Sequence, residues 1–251
     1  MSASLSIVAV WRYPVKGLGG ELLPAAEVLR GRGIAGDRRW MLASSDISRL
    51  LDGGEKWRPW RYGPTLKTDS RLARLRASLR GAILTVEARG GGAACGDMES
   101  AEGRRAVEDF LREFLEDDAL VLADCERRPA WDYADTPLTA VFSESIADLS
   151  RRAGAPLAAA RFRANIVLDG GAAWDEMKCI GGELSLGAEV KLSAAEAVTR
   201  CAATRVNPQT AERDMHVPEQ LLKFYGHNEM GIKFGVVAGG AIAPGDAAIW
   251  R

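Results

Sequence analysis

Apolar and polar residues alternate along residues 5–12, the two-residue period of a strand with one buried face. Glycines between Gly17 and Gly20 then signal a turn. Short apolar runs at 27–29, 40–43 and 82–87 predict further strands, the first two separated by a turn over 31–36. Gly90-Gly91-Gly92 opens a loop. The period changes at 102–115, where Ala106, Val107, Phe110, Leu111, Phe114 and Leu115 recur at helical spacing. The polar and aromatic stretch 129–137, bounded by prolines, reads as a linker. Beyond it, 143–150 predicts a short helix started by a serine cap, and 218–225 another. Residues 165–168, 183–186, 189–192, 235–238 and 247–250 predict the remaining strands. Many short strands with regular turns and few helices make this a β-rich α+β chain.

Composition narrows the function classes. The chain has 251 residues, 47% hydrophobic, enough for one large domain or two small ones. A formal net charge of −1 provides no global basic field, so no nucleic acid is expected as a partner. The N-terminal segment has no basic start, and its short apolar run suits a first strand better than a signal peptide. No apolar run approaches the roughly 18 residues of a membrane span, so a cytoplasmic protein without a membrane partner is expected. Cys95, Cys125, Cys179 and Cys201 are scattered, contain no C-x-x-C pair, and read as reduced thiols. With His216 and His227 they are too irregularly spaced for a zinc site, and they lack the clustering of a plant-type iron–sulfur domain.

Candidate chemistry concentrates in Thr199-Arg200-Cys201-Ala202-Ala203-Thr204-Arg205-Val206-Asn207-Pro208. Cations beside a cysteine favour its thiolate, soft metals prefer thiolate ligands, and arginines suit phosphate. A buried structural cysteine is the competing reading. Gly31-Arg32-Gly33-Ile34-Ala35-Gly36 spells G-x-G-x-x-G, but a strand-like segment follows where a dinucleotide site needs a helix. The glycines are instead expected to make a tight turn presenting Asp37 and Arg38. Lys16, Arg38 and Arg163 read equally as surface charges until a pattern joins them.

That pattern is a resemblance. Residues 200–210 resemble the signature of MOSC domains. Tyr13-Pro14-Val15-Lys16-Gly17 and Gly36-Asp37-Arg38-Arg39-Trp40-Met41-Leu42 resemble the paired motifs of the MOSC N-terminal β-barrel domain. Arg161-Phe162-Arg163-Ala164-Asn165, Trp174-Asp175-Glu176 and Pro244-Gly245-Asp246 follow in the family's order. The chain is similar to bacterial MOSC proteins related to the mitochondrial amidoxime-reducing component. The resemblance implies an N-terminal β-barrel-like domain over 1–128 and a MOSC β-barrel domain over 129–251, with a few helices. It implies a molybdenum cofactor (Mo-molybdopterin), with Cys201 as metal ligand and catalytic residue. Lys16, Arg38, Thr136, Arg163, Asn165, Thr199 and Arg200 would contact the cofactor. The implied activity is reduction of small N-hydroxylated compounds. Electrons would come from a separate ferredoxin- or cytochrome-type protein and its reductase.

The alternative is a non-catalytic carrier of molybdenum cofactor or of sulfur, using the same residues. Asn165 suits either a pterin edge or a strand turn. Ala164 replaces a frequent proline, and Gly17 replaces a serine that contacts cofactor in some relatives. A backbone N–H would serve there instead. Trp57-Arg58-Pro59-Trp60-Arg61-Tyr62 alternates aromatic and basic residues and departs from the family. It reads as a substrate-pocket or interdomain loop rather than a nucleic-acid patch. His227 is expected in a loop at the pocket mouth.

Overall fold

The computed structural model describes residues 5–44, 47, 58–133 and 135–251. Trp57 of the aromatic–basic stretch lies outside them. The described chain is β-rich α+β, as its alternation predicts. The strands are β1 (Leu5–Arg12), β2 (Val15–Lys16), β3 (Glu21–Leu22), β4 (Ala26–Leu29), β5 (Gly33–Ile34), β6 (Trp40–Ala43), β7 (Leu75–Arg80), β8 (Ile83–Ala88) and β9 (Ala93–Asp97). They continue with β10 (Val121–Asp124), β11 (Leu138–Phe142), β12 (Ile166–Asp169), β13 (Glu183–Leu186), β14 (Val190–Thr199), β15 (Glu229–Ala238), β16 (Gly240–Ile242) and β17 (Ala247–Trp250). The helices are α1 (Ala101–Leu115), α2 (Ser143–Ala153) and α3 (Val217–Tyr225).

A barrel forms because β1 pairs at both of its edges. The order β12-β11-β15-β14-β13-β17-β1 closes where β1 meets β12 antiparallel, Val10 opposite Ile166 and Ser6 opposite Asp169. Closure removes sheet edges. The barrel core takes Ile7 and Val10 from β1, Leu138 and Phe142 from β11, and Ile232 and Phe234 from β15. The first strand of the chain therefore completes a barrel whose other strands all lie beyond residue 137.

A second core sits beside it. The meander β7-β8-β9 is covered by α1, which buries Val107, Leu111 and Leu115. Helix and sheet touch backbone to backbone: a Cβ on Gly96 would lie 2.1 Å from the Gly103 carbonyl oxygen, so neither glycine tolerates a side chain. Ser100 caps α1 by accepting from the Gly103 N–H at 2.9 Å. A small sheet, β10-β6-β2, joins this unit to the barrel through the loop after β1. The GxGxxG segment is a β4–β5 hairpin and turn leading to β6, with no helix.

The outer face of the barrel carries α2 and α3. The expected serine cap of α2 is absent. Phe142 occupies the cap position without a side-chain bond, and Ser143 lies inside the helix, donating to Asp169 and to the Leu168 carbonyl. The serine hydroxyl ties the helix to β12 instead of to its own backbone. No helix among the described residues is long and apolar enough to cross a membrane.

Candidate functional site

Lys16, Arg38, Thr136, Arg163, Asn165, Thr199, Arg200 and Cys201 line one cavity of about 310 Å³. They come from sequence positions up to 185 residues apart. Short β2 delivers Lys16, and the turn before β6 delivers Arg38. A 3-10 turn (Ala159–Phe162) ends at Arg163, Asn165 precedes β12, and β14 runs out at Thr199 into Arg200 and Cys201.

Arg38 and Arg163 both adopt left-handed backbone conformations, φ 49° and 53°, which cost a non-glycine residue on the order of 1 kcal/mol. The strain places both guanidinium groups over the Tyr13 ring, 4.6 and 4.4 Å from its centroid. Arg38 donates to the Arg163 carbonyl at 2.9 Å, and Arg163 donates to the Leu18 carbonyl at 2.5 Å. The remaining N–H groups of Arg163 have no protein acceptor among the described residues. Asp37 fixes this layer: one carboxylate oxygen accepts from the Tyr13 N–H at 2.9 Å and the other from Arg38 at 2.5 Å.

The four cations differ in compensation. Burial disfavours charge on Arg38, but Asp37 outweighs it and holds the guanidinium above its ordinary pKa. Burial lowers the Lys16 ammonium despite its ion pair with Asp132 at 2.5 Å. Arg163 and Arg200 have no carboxylate within ion-pair distance among the described residues, and burial pulls both down to about 10. Arg200 is held by carbonyls, Nε to Met230 and Nη1 to Phe162, each at 2.8 Å. Its Nη2 is buried without a partner. Buried Arg200 and half-buried Arg163, without anions among the described residues, make the cavity a receptor for negative charge.

Cys201 is an unpaired thiol, half-buried, on the cavity wall. Its carbonyl accepts from the Thr204 N–H at 3.0 Å and the Thr204 hydroxyl at 2.8 Å, which curls the following 3-10 turn (Ala202–Arg205). Arg161 anchors that turn from below. It is 5% exposed, donates to the Thr204 and Arg205 carbonyls at 3.2 Å, and pairs with Asp214 at 2.8 Å. Sequence reading gave Arg161 no site role. Its place two residues before Arg163 was the available signal.

Asn165 lines the cavity, but its amide is engaged in the protein. Oδ1 accepts from the Thr139 N–H and hydroxyl at 3.3 and 3.4 Å, and Nδ2 donates to the Trp11 carbonyl at 3.3 Å. It sutures β1 to β11, the strand-turn role. His227 does not line the cavity. It packs edge-on to Trp174 and beside Tyr225, and its Nδ1 accepts from the Glu229 N–H. Trp60, Trp131, Asp132 and Tyr133 do line it, with Trp60 and Tyr133 each 39% exposed. Buried Lys233 holds the Tyr133 ring with its ammonium 3.6 Å from the centroid. Gly17 also contributes to the wall, with φ at 90°.

The lining fits an anionic, polar-edged cofactor. Besides the unpaired cations, the Thr136 hydroxyl and the Trp131 indole N–H are buried without hydrogen-bond partners among the described residues. Buried polar groups are ordinarily satisfied, so these mark places for ligand atoms. Among the described residues no group of three or more His, Cys, Asp or Glu side chains could hold a metal alone. A metal at Cys201 would therefore need most of its ligands from its own cofactor.

A closed β-barrel with an attached β-rich unit and a cation-lined cavity at their junction is the class of structure defined here. The chain belongs to the MOSC family: the MOSC domain matches residues 116–248, and the MOSC N-terminal beta barrel domain matches residues 4–119. That family is associated with the molybdenum cofactor, which places this protein in a molybdenum-cofactor-related role. Among solved structures, YiiM from Geobacillus stearothermophilus is 22% identical with a TM-score of 0.38, over 47% of this chain and 55% of that one. The YuaD protein from Bacillus subtilis is 12% identical with a TM-score of 0.45, over 98% and 94%. YiiM from Escherichia coli is 17% identical with a TM-score of 0.35, over 47% and 55%. The likeness thus spans about half the length of the YiiM proteins. No curated protein matches the chain.

Proposed function

We propose that this protein is a molybdenum-cofactor-dependent oxidoreductase that reduces N-hydroxylated compounds. The observation that carries the reading is the convergence of an unpaired thiol, Cys201, with buried Arg200 and half-buried Arg163, neither paired with a carboxylate among the described residues, on one cavity. In this reading Cys201 ligates molybdenum as a thiolate, the ligand type that soft metals prefer. Arg38, Arg163, Arg200 and Lys16 hold the phosphate and pterin, with planar guanidinium groups donating in pairs. Thr136 and Thr199 supply hydroxyl and backbone contacts, and Asn165 keeps β1 against β11 behind them.

When bound, the cofactor supplies two-electron removal of oxygen from an N–O bond, yielding amine or amidine and water with two protons taken up. Trp60, Trp131 and Tyr133 shape the entrance through which a small substrate would pass. Electrons would come from a ferredoxin- or cytochrome-type protein, because the glycine-rich hairpin at 31–36 offers no dinucleotide site.

The test uses protein made in a host that synthesises the cofactor. Molybdenum and pterin near one per chain, with reduction of benzamidoxime by reduced viologen, is the expected result. Molybdenum-loaded protein that fails this reduction would make the chain a carrier. Absence of both metal and pterin would remove the reading.

A further inference from the structure

The cavity at Cys201 lies beside a larger recess. A groove of about 790 Å³ lies on the far side of a partition formed by Leu66, Arg161, Arg163 and Ala203, which line both. Its size is that of a small-molecule site. One wall is aromatic. Trp11, half-buried, lines it and stacks on Tyr13 with centroids 6.1 Å apart and planes 17° apart. The other is cationic, with Arg74 just before β7, Arg76 on β7 and Arg89 just past β8. Arg74 is steadied by the Phe114 ring at 5.7 Å and by the Arg89 carbonyl at 3.3 Å. Arg89 donates to the Pro208 carbonyl at 3.2 Å, which ties the rim to the loop after Cys201. None of these three has a carboxylate within ion-pair distance among the described residues. The groove's one acid, Glu87, stands opposite Arg76 on β8. Arg161 adds a buried Nε without a partner.

We propose that this groove binds a nucleoside monophosphate, the base stacked on Trp11 and the phosphate on the Arg74–Arg76–Arg89 rim. An indole face takes any planar base, and guanidinium groups bind phosphate in a fork geometry. A nucleic-acid strand is a poorer fit, because a net charge of −1 provides no continuous basic track along the surface. The site stands independently of the molybdenum reading. It touches the first cavity through Arg163, so an occupant of the groove would help to fix one wall of that cavity.

The experiment is calorimetric titration of the purified full chain with AMP, GMP, CMP and UMP, with the matching nucleosides, and with inorganic phosphate. At least one monophosphate should bind, with its nucleoside, which lacks the charge-assisted contacts, and inorganic phosphate, which lacks the stacked base, each at least about tenfold weaker. The Arg76→Gln/Arg89→Gln double variant should lose at least about tenfold, while Arg30→Gln, outside both recesses, should bind normally. Trp11→Leu should weaken the nucleotide and leave inorganic phosphate unchanged. If that variant does not fold, the double variant decides, since both its side chains are exposed. The proposal is overturned by no monophosphate binding at millimolar concentration, by unchanged affinity in the double variant, or by equal affinity for nucleoside and nucleotide.

Discussion

Around Cys201 the arginines are buried or half-buried and already bonded to the protein, whereas on the rim of the larger groove they stand in solvent. Arg200 and Arg163 give N–H groups to carbonyls of Met230, Phe162 and Leu18. Among the described residues Arg76 makes no side-chain bond, and Arg74 and Arg89 make one each to a carbonyl. The first set has surrendered hydration during folding, which is why its pKa values fall to about 10. An anion arriving there meets donors that need no reorganisation. The second set keeps its water and its rotamer freedom, so a ligand must order it on binding. Equal residue types thus yield a fixed receptor in one recess and an adaptable one in the other.

Four substitutions would break or sharpen that contrast. The largest effect is expected at Cys201. Cys201→Ser should abolish N-reductive turnover of loaded protein while circular dichroism stays native, because a hydroxyl replaces a soft ligand poorly. Cys95→Ser and Cys179→Ser, outside both recesses, should keep turnover. Full activity of Cys201→Ser with a chemical reductant would refute the ligand assignment.

Arg200→Leu comes next. It strands the Met230 and Phe162 carbonyls, and each lost partner costs about 1–3 kcal/mol, so apo-protein stability in urea should fall by roughly 2–6 kcal/mol. A loss below about 1 kcal/mol would show that Arg200 is not committed to the fold.

Third is Glu176, whose charge interacts with Arg200. It is 1% exposed, takes one bond from Ser145 at 2.7 Å, and leaves Oε1 without a partner. Burial raises its pKa from 4.5 to about 7. The folded state therefore holds this proton more tightly than the unfolded chain. Its stability contribution is complete below pH 4.5 and is lost as pH rises through about 7. The loss is on the order of 3 kcal/mol. Glu176→Gln, an isostere of the protonated acid, should remove this part of the pH dependence. Parallel denaturation curves of wild type and variant across that range would refute it.

The smallest effect belongs to the groove. Arg76→Gln should leave stability within about 0.5 kcal/mol, since the exposed side chain bonds to nothing among the described residues. A larger loss by urea denaturation would mean that the rim is structural, and the contrast with Arg200 would collapse.

Much of the fold was readable from periodicity. Alternation at 5–12 marked β1, and the helical spacing at 102–115 marked α1 within a residue. Alternation marks only part of the long strands β14 and β15, because register shifts along their pairing interrupt it. Ser143 has the residue type of a cap, but Asp169, a tertiary neighbour, claims its hydroxyl. The site residues were legible as motifs, but their states were not. Nothing local distinguishes Asn165, spent on suturing strands, from Arg163, left with free donors. His227 looked available from its loop, yet aromatic packing against Trp174 and Tyr225 takes it away from the cavity.

By itself the sequence determined the β-rich class, the helices, the family motifs and the thiol beside an arginine, because these rest on residue type and short-range spacing. Tertiary structure alone decided that β1 would close the barrel by pairing with β12 and β17. It also decided which cations would lie buried without anions, and that a second arginine-lined groove would share Arg163 with the first. Burial and charge compensation depend on residues far apart along the chain, and only the closed barrel brings those residues together.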